Sequence, residues 1–133
     1  MEDIQDTRSS MELENELWKL IQDANTECDN KILSGMVWNG MSIWLSSENQ
    51  FNFKAFYDLA VEKKVTYPQT FKFNNMFYSF TNFEDLENFY ISSIRWIQQC
   101  LSECWTKKAQ IQSEYESLIT AAKERENITI KSE

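Results

Sequence analysis

Apolar side chains recur at spacings of three and four residues near the start of the chain. The positions of this stripe are Leu13, Leu17, Leu20, Ala24 and Cys28. Such spacing places side chains on one face of an α-helix. Ser9 or Ser10 is a candidate N-cap before the stripe, and Ser34-Gly35 is a stop signal after it. The pattern predicts an N-terminal helix over residues 10–33, and we expect the polar residues 1–9 before it to be disordered.

Two short β-prone runs follow and flank Asn39-Gly40. Asn-Gly is the strongest two-residue hairpin signal, because both residues tolerate the positive φ of a type I′ turn. Ser46 or Ser47 is the next candidate cap, and aromatic residues then continue at helical spacing towards Lys63-Lys64. Residues 36–64 are therefore predicted to form a β-hairpin followed by a helix, a ββα unit.

The same order of elements is predicted a second time, over residues 69–126. Phe73-Asn74-Asn75-Met76 aligns with Trp38-Asn39-Gly40-Met41, which indicates a second hairpin. Thr81 is a candidate N-cap with Glu84 completing a capping box, so an extended helix should follow from near residue 82. We interpret this order as a duplicated ββα unit.

These elements predict one α+β domain over residues 1–133. Two antiparallel hairpins would lie in one small sheet covered by helices, and a long C-terminal helix would complete the fold. The hydrophobic fraction of 42% is sufficient for a packed core.

The C-terminal helix carries a strict heptad pattern, in which apolar positions alternate spacings of four and three as in a left-handed coiled coil. The positions of this seam are Tyr90, Ile94, Ile97, Leu101, Cys104, Lys108, Ile111, Tyr115 and Leu118. As one helix, residues 81–126 would span on the order of 69 Å at 1.5 Å per residue. That length exceeds a domain of this size, so the second half must pack on something other than the sheet.

Two partners for the seam are open. The N-terminal helix of the same chain carries a complementary single stripe. The alternative is the same helix in other copies, giving a dimer or trimer. Lys108 resembles the polar seam residues that set register and oligomeric state, and the seam is therefore a candidate oligomer interface.

The formal net charge is −8, from 21 acidic and 13 basic residues. A negative field repels nucleic-acid phosphates and anionic membranes, so we expect neither as a direct partner and predict a protein partner instead. The acidic start of the chain predicts no signal peptide, and the lack of a long apolar run predicts no membrane span.

Catalytic groups are scarce in the sequence. No histidine occurs, which removes the usual general base and the Ser/His and Cys/His pairs. The cysteines, Cys28, Cys100 and Cys104, lack the CxxC spacing and the histidines of zinc sites, and we interpret them as buried thiols in a reducing compartment. We predict a protein that is not an enzyme and has no metal or cofactor.

Aromatic residues make up 14% of the chain, and we expect most of them in the core and some left over for a contact surface. A candidate ligand surface could stack on a base and meet a phosphate with a cation. Its members are Trp38, Trp44, Tyr57, Phe77, Tyr78 and Arg95. The alternative is that these rings belong to the core.

Four segments within residues 37–111 share a recognisable pattern. They are Val37-Trp38-Asn39-Gly40, Phe73-Asn74-Asn75, Thr81-Asn82-Phe83-Glu84-Asp85-Leu86 and Trp105-Thr106-Lys107-Lys108-Ala109-Gln110-Ile111. With the duplicated hairpin-helix order, this pattern resembles a phage and prophage family, a domain of unknown function found in tail-fibre-associated proteins. This chain departs from the pattern by its N-terminal helix and its residues after Ile111.

The resemblance implies a phage- or prophage-encoded accessory protein, tail-associated or assisting tail assembly, that acts by protein–protein contacts. It would reside in the bacterial host cytoplasm or in the virion. The alternative function is a small phage inhibitor of host defence, which binds a host protein or sequesters a nucleotide signal.

Overall fold

The computed structural model describes residues 6–132, and the side chains of residues 6–128. The described part contains three helices and two antiparallel sheets of two strands each, which confirms the predicted α+β class. In chain order the elements are α1 (Ser10–Ser34), β1 (Met36–Trp38), β2 (Met41–Ile43), α2 (Ser47–Val61), β3 (Gln69–Phe73), β4 (Met76–Phe80) and α3 (Phe83–Ser132).

The chain divides into two compact units. The helical unit consists of the described parts of residues 1–27 and 103–133, and the hairpin unit consists of residues 28–102. Both α1 and α3 contribute residues to each unit.

In the helical unit, α1 begins as the sequence predicts. The backbone N–H of Glu12 donates to Ser9 Oγ at 3.1 Å, so Ser9 caps the helix. Ser10 donates from its backbone N and from its Oγ to the Glu126 carboxylate of α3, both at 2.8 Å. These bonds hold the pKa of Glu126 below its ordinary value, and they bind the start of α1 to α3.

The segment before α1 also contacts this unit. Residues 1–5 of the predicted disordered tail lie outside the described residues. Arg8 forms ion pairs with Asp6 and Glu16, and its guanidinium lies 5.9 Å from the centroid of the Tyr115 ring. The hydrogen bond from Arg8 lowers the pKa of Asp6 to about 2.

In the hairpin unit, Gly35 joins α1 directly to β1. Its φ is +81°, and its backbone N donates to Ile32 O at 3.1 Å. Asn39 and Gly40 then turn the chain with φ values of +50° and +75°, and Trp38 pairs with Met41 in the register. The first predicted hairpin is therefore confirmed, with positive φ at both turn residues as a type I′ turn requires.

The second hairpin pairs Phe73 with Met76 and Gln69 with Phe80, as the sequence predicts. The two hairpins do not merge into the single sheet that the sequence predicted, and each forms its own two-stranded sheet. At their junction Asn74 Nδ2 donates to the backbone oxygen of Ser42 at 3.0 Å. A side chain thus satisfies the carbonyl that a shared backbone ladder would have used.

The core of the hairpin unit is largely aromatic and is centred on Phe89 of α3, which is 0% exposed. Its ring centroid lies 5.1–5.3 Å from the rings of Trp38, Phe53, Phe73 and Phe80. Burying one such ring contributes roughly 1.5–3 kcal/mol. Both hairpins and α2 therefore pack against α3 through Phe89.

Two helix starts test the predicted caps. Ser46 caps α2 as predicted, because its Oγ accepts from Asn49 N at 3.1 Å. The capping box at Thr81 was wrong by one position: Asn82 Oδ1 accepts from Asp85 N at 2.9 Å, and α3 begins at Phe83. Asn is a stronger N-cap than Thr, and its side chain reaches the third residue beyond it.

Candidate functional site

Three of the six residues predicted for an aromatic ligand surface are half-buried in the hairpin unit and pack against other rings. Trp38 lies edge-on to Tyr78 with a centroid distance of 4.7 Å. Tyr78 donates its hydroxyl to Asp85 Oδ2 at 2.7 Å, and this bond raises the pKa of Tyr78. Tyr57 stacks on Tyr90 at 4.4 Å. Trp38 and Tyr78 thus pack against the core, which was the alternative left open by the sequence, whereas Tyr57 is half-buried beside a ring of α3.

Tyr57 also carries a polar contact. Its hydroxyl donates to Glu87 Oε2 at 3.0 Å, and this bond raises the pKa of Tyr57. Tyr90, predicted for the oligomer seam, is half-buried against the aromatic core. Its ring is thus engaged within the chain.

Trp44 and Phe77 are the exposed members of the predicted surface, with 56% and 69% of their area accessible. Neither contacts another aromatic ring in the described part of the chain. The Lys72 ammonium lies 5.9 Å from the centroid of the Phe77 ring. Two large rings and a cation are therefore open to a ligand.

Trp44 lies on the wall of a groove of about 590 Å³ in the hairpin unit, which we call the Trp44 groove. The α2 helix and the second hairpin supply the rest of the wall. The lining residues are Trp44, Asn49, Asn52, Phe53, Phe56, Phe71, Lys72, Phe73 and Asn74. The groove thus combines an aromatic floor with amide groups and one ammonium.

Hydrogen bonds fix two of the amides. Asn49 Nδ2 donates to the backbone oxygen of Trp44 at 2.8 Å, and Asn74 Nδ2 donates to that of Ser42 at 3.0 Å. Each amide keeps an oxygen that can accept, while Asn52 can both donate and accept. Lys72 is the one charged residue on this lining. Such a set can hold an apolar or aromatic group, peptide groups along a backbone and one negative charge.

The sequence analysis did not assign the amides of this groove. Asn49 and Asn52 are three residues apart on α2, and Phe53 and Phe56 repeat the same interval beside them. Residues three or four apart share one helix face. That interleaving of amides and rings was a signal that could have found the groove.

Arg95 lies elsewhere in the hairpin unit. It is exposed and lines a second groove of about 490 Å³ together with Trp38. The predicted surface is therefore split: Trp44 lines one groove and Trp38 and Arg95 line another. Tyr57 lines a third groove of about 440 Å³, and Tyr78 packs against the core.

Within the helical unit, α1 of the same chain covers the predicted oligomer seam. Lys108 Nζ donates to Asn25 Oδ1 at 2.9 Å, and Tyr115 donates its hydroxyl to Glu16 at 3.1 Å. Cys104 Sγ lies 3.6 Å from the backbone oxygen of Ala24 in α1. The sequence left two partners open for the seam, and the N-terminal helix of the same chain is the one that makes these contacts. Self-association through the seam stays a prediction.

The other seam positions vary in exposure. Ile97, Leu101, Ile111 and Leu118 are half-buried, whereas Ile94 is exposed. Ile97 packs against the core of the hairpin unit. The heptad pattern thus follows positions that are largely covered within each unit.

No cluster of three or more histidine, cysteine or carboxylate side chains that could hold a metal ion occurs among the described residues. Within the same part of the chain, no helix has the length and apolar character needed to cross a membrane.

The chain belongs to a protein family described as a domain of unknown function, DUF4376, whose family model matches residues 16–129. The match extends beyond the segment 37–111 on which the resemblance rested, and it includes most of α1 and α3. No curated protein and no solved structure matches the chain.

Proposed function

We propose that this chain is a phage- or prophage-encoded accessory protein without enzymatic activity, associated with the tail or with its assembly. It acts by protein–protein contacts and binds a segment of a tail protein in the Trp44 groove. The resemblance of its hairpin segments to tail-fibre-associated proteins supports the phage and tail assignment. The Trp44 groove supports the mode of action.

The observation that carries the binding role is the exposed Trp44 ring beside fixed amides. Tryptophan is among the residues that contribute most to binding energy at protein interfaces. The Asn49 and Asn74 amides present acceptors at fixed positions, which suits the N–H groups of a peptide backbone. Because these amides are held in place before binding, less free energy is lost in ordering the site when a partner binds.

The charge of the Trp44 groove limits which partner segments would bind there. The groove carries Lys72 and no acidic residue on its lining, whereas the whole chain has a net charge of −8. A partner segment with an aromatic or aliphatic side chain and a carboxylate placed at Lys72 would match this groove, and the rest of the partner's surface should be neutral or basic, because the chain as a whole repels anions.

The test uses the tail proteins encoded in the same phage or prophage genome, purified singly, with binding measured by interferometry. Trp44→Ala removes the exposed ring. Trp18→Ala is the matched control, because Trp18 is also exposed, at 67%, and lies on α1 in the helical unit. We expect Trp44→Ala to weaken binding about 30-fold, roughly 2 kcal/mol, and the control to weaken it less than twofold.

The proposal fails if no tail protein binds with a dissociation constant below about 100 µM, or if the two variants weaken binding equally. Light scattering on the same samples gives the mass in solution. A multiple of the 15.9 kDa chain mass would support self-association as part of the assembly role.

A second function has its own support in the same groove. The unstacked Trp44 ring and the Lys72 ammonium could hold a nucleotide, with the base on the ring and a phosphate at the cation. That would be a host-directed inhibitor that sequesters a nucleotide signal. Excess absorbance at 260 nm in the purified protein, lost in Trp44→Ala, would favour this function over the tail role.

A further inference from the structure

The outer edge of β1 presents backbone groups that β2 does not use. Trp38 and Met41 close the two-residue turn and exchange hydrogen bonds, so the next pair, Val37 with Ser42, is a non-hydrogen-bonded pair. The N–H and C=O of both residues in such a pair point away from the opposite strand.

The opposite edge of the hairpin supports this assignment. Ser42 points its carbonyl away from β1, and Asn74 Nδ2 donates to it at 3.0 Å. By the same register, Val37 points its own N–H and C=O away from β2, and among the described residues no hydrogen bond outside the strand pairing involves them. Val37 is 76% exposed. One edge of the hairpin is thus satisfied, and the other is open.

A groove of about 490 Å³ lies along the open edge, between β1 and one face of α3. Gly35, Met36, Val37 and Trp38 form the strand side, and Ser92, Arg95, Trp96 and Gln99 form the helix side. The helix positions fall at intervals of three, four and seven residues, which places them on a single face. An extended segment entering this groove would lie between the strand edge and that face.

The charge on the lining of this groove is positive. Arg95 is the one charged residue on the lining, and it forms no ion pair with any residue whose side chain the structure describes. Its guanidinium can bind a carboxylate with two parallel hydrogen bonds. In an extended segment, side chains two positions apart point to the same side. An acidic side chain on the side that faces α3 could therefore meet Arg95.

We infer that the β1 edge groove binds an extended peptide segment of a partner protein by strand addition, with Val37 supplying backbone hydrogen bonds and Arg95 receiving an acidic side chain. This site is separate from the Trp44 groove and does not depend on the tail role. A second copy of this chain is a poorer occupant, because edge-to-edge pairing of two β1 strands would bring two Arg95 side chains towards one seam.

Strand addition here is a short contact. Only Val37 offers an outward pair in a three-residue strand, since the Gly35 N–H already donates to Ile32 O. With about two backbone hydrogen bonds and one charge-assisted pair, we expect a dissociation constant on the order of 100 µM. Such an affinity fits a transient contact or a second contact made by a partner that is already held elsewhere.

The probe is a capped hexapeptide, acetyl-Thr-Val-Asp-Val-Thr-Val-amide, titrated into the ¹⁵N-labelled full chain and followed by NMR. We expect the Val37 amide to shift and saturate and its hydrogen exchange to slow. A matched peptide with Lys in place of Asp should bind at least fivefold more weakly. Raising the salt from 50 to 500 mM should reduce that difference, because salt screens exposed charges.

Two protein variants separate the contributions. Val37→Pro removes the outward N–H and leaves the β1–β2 hydrogen bonds in place, as proline is tolerated on an edge strand. Val37→Thr is its control, because it keeps both the N–H and the β-branched shape. We expect Val37→Pro to weaken binding at least fivefold and Val37→Thr to change it less than twofold.

Arg95→Gln should make the Asp and Lys peptides bind equally. A disturbed hairpin in Val37→Pro would be visible as a shift of the Trp38 indole resonance. Arg95→Gln is a surface substitution, so it tests the acidic-peptide preference even in that case.

The inference is overturned if the Val37 amide does not shift at 1 mM peptide, or if wild-type protein binds both peptides equally. A doubled mass in solution that Val37→Pro abolishes would also overturn it, because a second copy would then occupy the edge. Trp44→Ala should leave peptide binding unchanged, so a failure here is distinct from a failure of the tail role.

Discussion

Gly35 and Gly40 form a matched pair for measuring how tightly α1 is joined to the first hairpin. Both residues have positive φ, +81° and +75°, so replacement of either by alanine carries the cost of a left-handed conformation. That cost is roughly 1–2 kcal/mol at each position. The surroundings differ: an added Cβ at Gly40 meets no atom within 4 Å, whereas one at Gly35 lies 1.6 Å from Ile43 O.

The contact at Gly35 cannot be relieved by turning a side chain, because the atoms that the added Cβ meets belong to the backbone of Ile43 and Trp44. The strand would have to move by on the order of 1 Å, and Ile43, which is fully buried, would move with it. Forcing extra volume into a packed region so that the backbone shifts costs roughly 1–3 kcal/mol and occasionally more. Because the approach to Ile43 O is as short as 1.6 Å, we expect Gly35→Ala to lower the free energy of unfolding by about 3 kcal/mol more than Gly40→Ala does.

Urea unfolding followed by tryptophan fluorescence measures the difference. With a slope of about 1.5 kcal/mol per molar urea, the two midpoints should differ by about 2 M, with Gly35→Ala the lower. A Gly35→Ala chain that is unfolded in buffer would agree with the same reasoning. Equal midpoints would refute it, because the close approach of Gly35 to β2 would then contribute nothing.

Two further perturbations address the helical unit. A double-mutant cycle of Lys108→Met and Asn25→Ala should give a coupling of about 1 kcal/mol, measured by urea unfolding, because a 2.9 Å hydrogen bond joins the two side chains. That coupling should not vary with protein concentration, and a dependence on concentration would assign Lys108 to a contact between copies. Glu126→Ala should destabilise the chain at neutral pH. Since the bonds from Ser10 lower the pKa of Glu126 from its ordinary value of 4.5, its contribution is present above that pH and is lost as pH falls through the folded pKa. The urea midpoints of wild type and variant should therefore converge in acid, and a gap that persists at pH 2 would contradict this assignment.

Local chemistry was enough to predict the elements. Asn39-Gly40 specified a turn with positive φ at both residues, and Ser46 specified a helix start, because each signal depends on neighbours in sequence. Thr81 and Asn82 show the limit of such signals. Both are good caps, and only the position at which α3 begins decides between them.

The candidate sites depended on contacts that the sequence does not contain. Alternation along a strand tells which side chains share a face, but not whether a ring from another element covers that face. Trp38 and Tyr78 were placed with Trp44 and Phe77 on one surface, yet the first two contact each other in the core. The heptad seam likewise fitted two partners, and its period alone does not tell which helix meets it.

The small thiols of α1 and α3 have a kinetic consequence. Cys28, Cys100 and Cys104 are all buried. Cys28 Sγ lies 3.6 Å from Cys100 O, and Cys104 Sγ lies at the same distance from Ala24 O. Because these residues keep at most 8% of their surface exposed, we expect a soluble alkylating reagent to reach the sulfur atoms mainly when α1 and α3 separate locally. Under mild conditions the rate of labelling at each cysteine therefore measures how often that stretch of the helix pair opens. The native cysteines report this opening rate without any introduced probe.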